Sequence, residues 1–217
     1  RPKLYALLAL ASRRVGEYQQ AYHALQQALE EWPEEAAWHA LAAEFCDRLQ
    51  DTSAAIQHLE KAAALDPGQL SYQQNLGRGY QHRGLHQQAI QAFQAATQIK
   101  PDEPYVWLTL AENHLKLNQL GEAVACAERA IQLSPQNLGA LLLRAEIALK
   151  ANDPRAALVR AQSAVRAEPE NPQALVMLAS LPVTDTQGRL LAWLRAGVLL
   201  NQNLPLIDHI NQIVYPE

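Results

Sequence analysis

The fold is decided by residues 70–103, which read LSYQQNLGRGYQHRGLHQQAIQAFQAATQIKPDE. Counting outward from the proline in this stretch in steps of 34 residues reaches a proline every time, giving the series Pro33, Pro67, Pro101, Pro135 and Pro169. Proline commonly follows a helix that it cannot continue. The series therefore marks the ends of the units of an internal repeat.

Four further columns at the same spacing indicate what each unit contains. Two are alanine columns, Ala21, Ala55, Ala89, Ala123 and Ala157, then Ala28, Ala62, Ala96, Ala130 and Ala164. A third holds small residues that let two helices approach closely, Ala9, Ala43, Gly77, Ala111, Ala145 and Ala179. The fourth holds mostly residues that accept the left-handed conformation after a helix, Gly16, Gln50, Gly84, Asn118 and Asn152. These columns predict two antiparallel helices per unit, joined by a tight turn.

These residues resemble the tetratricopeptide repeat family, whose pattern places Trp, Leu, Gly and Tyr on a first helix and Ala, Phe, Ala and Pro on a second. The clearest matches are Leu76, Gly77, Tyr80, Gly84, Ala89, Phe93, Ala96 and Pro101, followed by Trp107, Leu110 and Ala111. The resemblance implies an all-α fold, a right-handed α-solenoid of helix-turn-helix repeats with a C-terminal helical cap. We assign five repeats to residues 2–171, at about 2–35, 36–69, 70–103, 104–137 and 138–171, and a degenerate sixth repeat with capping helices to residues 172–217.

Two of the five repeats depart from the pattern. In the second repeat Trp38, Leu41 and Phe45 stand one place early, which predicts a shifted first helix. In the fifth repeat Arg144 stands in a column filled mainly by leucine, which predicts a local change in packing. Asp153 in the same repeat is read as a helix cap before a first-turn proline.

After Pro169 the pattern fades, as expected for the modified end of a solenoid. We predict a first helix over about Pro172 to Leu181 and a second from Thr184 to about Asn201, because Thr184 and Gln187 form a capping-box pattern. A last short helix over about 205–214 would cover the exposed end.

Composition narrows the classes of function. The net charge of -4 and the isoelectric point near 6.0 give no global positive field, so we expect no nucleic-acid partner. Cys46 and Cys126 are too few for a disulfide framework or a four-thiolate metal site. The longest apolar stretch, Leu190 to Leu200, contains Arg195 and is shorter than the roughly 20 residues of a membrane-spanning helix. We expect no membrane insertion.

No motif indicates catalysis, a metal or a cofactor. His82 and His86 have the spacing of a helical metal pair, but Gly84 lies between them at the predicted turn, which favours a polar turn. Gly77 and Gly79 fall within a helix, without the strand and third glycine of a phosphate loop. The remaining histidines are assigned to packing or solvent, namely His23, His39, His58, His114 and His209. We therefore predict that the chain is not an enzyme.

A few other polar and aromatic residues have an open interpretation. Glu34 and Glu35 are read as carboxylates that complement the positive end of the next helix. Trp32 and Tyr215 are not constrained by the pattern, so each is either an exposed contact or a capping residue.

The resemblance also implies where a partner would bind. In such solenoids the first helix of each repeat lines the concave face, so solvent-facing positions on the first helices are the candidates. The predicted partner-binding residues are Gln74, Asn75, Arg78, His82, Tyr105, Glu112, Lys116, Glu146 and Lys150, and Thr109 was placed on the same face. Their mixed polar chemistry suits an extended peptide, with ordinary solvated surface as the alternative. The carboxylate clamp of some family members is not expected, because His39 and Ala43 stand where it needs lysine and asparagine.

The leading functional hypothesis is a protein-interaction scaffold or adaptor that binds a peptide or protein on the concave face. One alternative is a sensor or regulatory segment of a larger enzyme or transcription regulator, because the first residue is Arg1 rather than methionine. Another is self-association into a homo-oligomer, because stacked repeats expose a docking face. A cytoplasmic location is slightly favoured.

Overall fold

The computed structural model describes residues 7–12, 16–184 and 190–193, with side chains up to Leu181. The chain folds as two compact units, Arg1–Leu117 and Asn118–Glu217. The described part is dominated by helices, as the repeat columns predict. None of these described helices is both long and apolar enough to cross a membrane.

In the first unit, residues 7–12 form the helical segment α1. Six complete helices follow, namely α2 (Tyr18–Glu31), α3 (Ala36–Arg48), α4 (Thr52–Leu65), α5 (Leu70–His82), α6 (His86–Ile99) and α7 (Pro104–Lys116). From α2 to α7 each helix packs against the next one along the chain. Consecutive helices joined by three- or four-residue turns are antiparallel neighbours, which is the predicted helix hairpin.

The second unit contains four helices and a short hairpin. The helices are α8 (Leu120–Leu133), α9 (Leu138–Lys150), α10 (Pro154–Ala167) and α11 (Pro172–Ser180), and the strands are β1 (Pro182–Thr184) and β2 (Leu190–Trp193). Each helix again packs on the next, and α11 also contacts α9. Asp153 caps α10 by accepting a hydrogen bond from the Ala156 amide at 3.0 Å, with Pro154 in the first turn. This confirms the prediction for that helix start.

The 34-residue period is preserved in the helix ends. The last residues of α2, α4, α6, α8 and α10 each lie two positions before one of the five repeat prolines. The predicted turn column has left-handed φ angles throughout, at Gly16 (85°), Gln50 (62°), Gly84 (71°), Asn118 (58°) and Asn152 (58°). The sequence columns therefore correspond to the physical turns between helices.

The predicted shift of the first helix in the second repeat is wrong. Helix α3 lies 34 residues before α5 at both ends, so it keeps the common register. The reason is that His39, and not Trp38, takes the buried position of this column, with 3% of its surface exposed. Trp38 instead stacks on Trp32, with ring centroids 5.4 Å apart. An aromatic residue that looks displaced in the sequence is thus a residue on a different side of an unshifted helix.

The C-terminal prediction is confirmed in its first helix and wrong in its second. Helix α11 ends at Ser180, just before the predicted break at Pro182. Thr184, however, belongs to β1, which pairs with β2 in antiparallel fashion, so the helix predicted from Thr184 to Asn201 does not form over residues 184 and 190–193. The proline fixes its own φ and disfavours helical geometry in the residue before it, and the chain continues there in extended form. The helix predicted over 205–214 lies outside the described residues.

Arg144 is accommodated by an ion-pair network rather than by apolar packing. Its Nε donates to Glu128 Oε1 at 2.8 Å, and Arg160 Nη2 donates to the same oxygen at 2.8 Å. The three side chains come from α9, α8 and α10, and 16% of the Arg144 side chain is exposed. One carboxylate therefore neutralises two cations and links the three helices.

Candidate functional site

A groove of about 600 Å³ lies in the first unit between α3 and α5, the first helices of consecutive repeats. Its floor is made of small side chains, which keep the space open. Those on α3 are Ala37, Ala40 and Ala43, and Gly79 contributes from α5. Leu41, Leu59 and Tyr72 add apolar surface around this floor. The volume is within the usual range for ligand-binding clefts.

The two edges of the groove differ in charge. Helix α3 presents Glu44, Asp47 and Arg48, whereas α5 presents Arg78 and His82. The α3 edge is therefore net acidic and the α5 edge basic. A ligand lying between the helices can meet a carboxylate on one side and a guanidinium on the other.

Three of the nine predicted site residues line this groove together. They are Asn75, Arg78 and His82, each one helical turn from the next along α5. Arg78 Nη2 donates to Asn75 Oδ1 at 2.8 Å, so the guanidinium is held beside the amide at the groove edge. Gln74 lies on the same helix but does not line the groove.

The other predicted residues of the first unit lie on α7. Tyr105 is 41% exposed and Lys116 is also exposed. Glu112 accepts a hydrogen bond from Gln81 Nε2 at 3.1 Å, which joins α7 to α5. Thr109 was wrongly placed in solvent, since only 4% of it is exposed and its hydroxyl donates to backbone carbonyls one turn earlier, within the same helix.

Glu146 and Lys150 belong to the second unit, on α9, where Glu146 is partly buried and Lys150 is exposed. The structure thus groups the predicted residues by helix, and only the α5 set forms part of a defined groove.

Sequence reasoning missed the α3 side of the groove. Glu44 and Arg48 stand 34 residues before Arg78 and His82, so the repeat period could have identified both. They were overlooked because the early position of Trp38 suggested a displaced helix. The small floor residues carried no chemical signal of their own.

A second depression of about 410 Å³ lies beside α2, α3 and α4 in the same unit. It is lined by His23, His39, His58 and Lys61 together with Glu30. No group of three or more His, Cys, Asp or Glu side chains in the described part of the chain is placed to hold a metal ion.

Two of these histidines form a directional hydrogen-bond chain. His39 Nε2 lies 2.9 Å from the Pro33 carbonyl oxygen, which can only accept, so this nitrogen carries the proton. In the neutral ring His39 Nδ1 is then an acceptor for His58 Nδ1, 3.0 Å away. His58 Nε2 in turn accepts from the Tyr22 hydroxyl at 3.1 Å.

The electrostatics of this chain keep all three groups uncharged at neutral pH. Burial, with smaller contributions from the neighbouring His39 and Lys61, lowers the pKa of His58 to about 4. Burial also lowers the pKa of His39 and raises the pKa of Tyr22 to about 12. The chain therefore acts as a polar bridge between α2, α3 and α4, in keeping with the packing role assigned to these histidines.

Repeated helix hairpins with a polar groove between first helices define the class of helical-repeat interaction proteins. Two family models described as tetratricopeptide repeat match the sequence, one over residues 13–78 and 82–130 and the other over residues 108–158. The chain belongs to the tetratricopeptide repeat family. A comparison with curated proteins gave no match.

Solved structures show the same fold at low sequence identity. The MamA protein is 18% identical, with a TM-score of 0.73 over 78% of this chain and 92% of that chain. MamA from Desulfovibrio magneticus RS-1 is 15% identical, with a TM-score of 0.70 over 79% and 97%. YrrB, described as a tetratricopeptide repeat protein with an unusual peptide-binding site, is 17% identical, with a TM-score of 0.72 over 79% and 89%. These similarities confirm the α-solenoid fold class.

Proposed function

We propose that this protein is a non-enzymatic interaction module that binds an extended peptide segment of a protein partner in the groove between α3 and α5. The observation that carries the proposal is the groove itself, with a floor of small residues and edges of opposite charge. The tetratricopeptide repeat is generally a protein-interaction module, and one structural neighbour, YrrB, is described as having a peptide-binding site.

The dimensions of the groove suit a short extended segment. Helices α3 and α5 each have 13 residues and are therefore about 20 Å long. About six residues in extended conformation cover that length. A helix would need a wider channel, because its diameter with side chains is about 10–12 Å.

The floor favours close approach of the peptide backbone. Ala37, Ala40 and Gly79 project little into the groove, so a side chain of the ligand can occupy the space above them. Apolar contact with Leu41 and Tyr72 would then stabilise the complex by roughly 25 cal/mol for each Å² of apolar surface removed from water.

The polar edges supply orientation and specificity. Asn75 offers amide groups that can pair with a peptide backbone, and Arg78 can pair with an acidic side chain of the ligand. Asp47, on the opposite edge, favours a basic side chain. A peptide bound between these edges has its charges fixed in one direction along the groove, because a reversed peptide would face like charges.

The experiment begins with a displayed library of random peptides selected against the intact chain. The affinity of the selected peptide is then compared between the parent, Arg78→Glu and Arg129→Glu. Arg129 is an exposed arginine on α8 in the second unit, so its replacement makes the same change in net charge away from the groove. We expect Arg78→Glu to weaken binding at least tenfold, as reversal of a charge contact implies, and Arg129→Glu to change it less than about twofold. Equal affinities for all three proteins would contradict the groove assignment.

A further inference from the structure

A second surface of the first unit has the chemistry of a recognition site, and it lies outside the groove. Trp32 ends α2 and stacks on Trp38 of α3, with ring centroids 5.4 Å apart and an interplanar angle of 16°. Trp38 packs against the buried cluster of this part of the unit, whereas Trp32 is 42% exposed. The outer indole is therefore a rigid aromatic surface that faces solvent and is supported from below.

The repeat pattern does not explain this aromatic residue. In the other four repeats the same column holds polar residues, Asp66, Lys100, Ser134 and Glu168. Trp32 also has no role as a hydrogen-bond donor within the fold. Across the described ranges 7–12, 16–184 and 190–193, neither the Trp32 nor the Trp38 indole N–H has an acceptor, whereas Trp107 Nε1 donates to the Pro101 carbonyl at 2.8 Å.

The charge around the stack is strongly negative. Residues 30–35 read EEWPEE, with four carboxylates and no cation. The corresponding segments of the other repeats, residues 64–69, 98–103, 132–137 and 166–171, contain at most two carboxylates, and each pair of carboxylates is accompanied by a lysine or arginine. Within the part of the chain that the structure describes, Glu31, Glu34 and Glu35 make no ion pair.

Helix stability accounts for only some of these carboxylates. Glu34 and Glu35 precede α3 and complement the positive end of its dipole. Glu31 is the last residue of α2, where a negative side chain opposes the dipole and no basic residue compensates. Glu30 lines the depression that also contains Lys61, so it is not counted here.

We propose that the Trp32–Trp38 stack, bordered by Glu31, Glu34 and Glu35, is a docking surface for an arginine-bearing segment of a protein partner. A guanidinium stacks favourably on the face of an indole, and tryptophan is the strongest aromatic acceptor for cations. Neighbouring carboxylates pair with the guanidinium N–H groups in bidentate geometry. The unused indole N–H groups are donors for carbonyl oxygens of the same segment.

The test is a titration of the intact protein followed by NMR of the indole N–H signals. The probe is the acetylated and amidated peptide Gly-Arg-Gly-Arg-Gly, and the control is the same peptide with citrulline in place of arginine, which removes the charge but keeps the shape. We expect the arginine peptide to shift the signals of Trp32 and Trp38 and to leave Trp107 unchanged. The citrulline peptide should produce no shift.

Variants separate the aromatic and the electrostatic contributions. Trp32→Ala and the triple variant Glu31→Gln, Glu34→Gln, Glu35→Gln should each weaken binding at least about fivefold. Trp32→Phe should change it less than about threefold, because the ring remains. The matched triple variant Glu122→Gln, Glu168→Gln, Glu170→Gln, which makes the same charge change in the second unit, and Arg78→Glu in the groove should have no effect.

Several results would overturn the proposal. Equal binding of the citrulline peptide, undiminished affinity of folded Trp32→Ala, or the absence of any indole shift with about 1 mM arginine peptide would each do so. If Trp32→Ala does not fold, the glutamine triple variant decides, since it changes no packing contact of the indoles. A response confined to Arg78→Glu would assign the arginine peptide to the groove instead.

Discussion

The ring of Phe93 fills the space that Gly77 leaves open. A Cβ atom built on Gly77 would lie 2.7 Å from Phe93 Cζ and 2.8 Å from both Cε atoms, which is closer than real carbon contacts allow. Gly77 belongs to α5 and Phe93 to α6, so this pair sets how closely the two helices of the third repeat approach. The groove depends on this pair, because α5 provides its basic edge.

Gly77→Ala should destabilise the protein by about 1–2 kcal/mol. The added methyl group overpacks a ring that is fully buried, and this cost exceeds the gain of about 1 kcal/mol in helix propensity. The free energy of unfolding in urea, followed by circular dichroism, measures the difference. Phe93→Leu in the same background should restore stability, because Leu25 and Leu59 occupy this column in the first two repeats. A Gly77→Ala protein as stable as the parent would show that the helices separate without cost.

Gln50→Gly should stabilise the protein by roughly 0.5–1 kcal/mol. Gln50 has a φ of 62°, and the left-handed conformation costs a residue with a Cβ atom about 1–2 kcal/mol. Part of the gain is lost because glycine has more conformational freedom in the unfolded chain. The control is Gln57→Gly on the exposed surface of α4, which should destabilise by about 1 kcal/mol. If both substitutions destabilise equally, the turn at Gln50 is not strained.

Stability should fall as the pH decreases from about 6.5 towards 4, because of His58. Its pKa is about 4 in the folded protein and 6.5 as the reference value, so within this interval the unfolded chain binds a proton that the folded chain does not. The contribution of His58 is complete above pH 6.5 and is lost progressively until the folded group also titrates. His39 acts in the same direction, since burial lowers its pKa as well.

Urea unfolding at a series of pH values checks this dependence. His58→Gln should flatten the slope between pH 6.5 and 4, because no proton is then taken up at that position on unfolding. His23→Gln is the matched control, since this histidine is exposed on α2 and should leave the slope unchanged. An equally steep slope in His58→Gln would show that other groups cause the pH dependence.

Glu128→Ala should destabilise the protein by about 2 kcal/mol, because it leaves Arg144 and Arg160 close together without their shared carboxylate. Arg144→Leu should be nearly neutral, since Glu128 keeps Arg160 and leucine is common in this column. Thermal unfolding of both variants gives the comparison. A neutral Glu128→Ala would mean that solvent already screens both arginines.

The helices and turns were predictable because the repeat places the same physical requirement at every thirty-fourth residue. Pro101 and its equivalents report helix ends, and Gly84 and Asn118 report turns that need a positive φ. Such positions tolerate few residue types, so the pattern remains visible in a single sequence.

Features that depend on one pair of residues were not predictable in the same way. The stacking of Trp38 on Trp32 made α3 appear shifted, and the pairing of Arg144 with Glu128 involves helices far apart in the sequence. Strand formation at Thr184 overrode a local capping pattern. At the groove, sequence reasoning identified the α5 edge from its polar residues but not the α3 floor, where Ala37 and Ala40 matter because they occupy little space.

The account rests on a peptide lying between α3 and α5, and site-directed photo-crosslinking tests this most directly. A photoreactive benzoylphenylalanine is placed at Ser71, which is exposed at the groove on α5, and in a separate protein at Gln91, which is exposed on α6 and does not line the groove. The account predicts that a labelled peptide selected for binding crosslinks to the Ser71 protein and not to the Gln91 protein. Crosslinking at Gln91, or equally at both positions, would contradict it and place the peptide elsewhere on the surface.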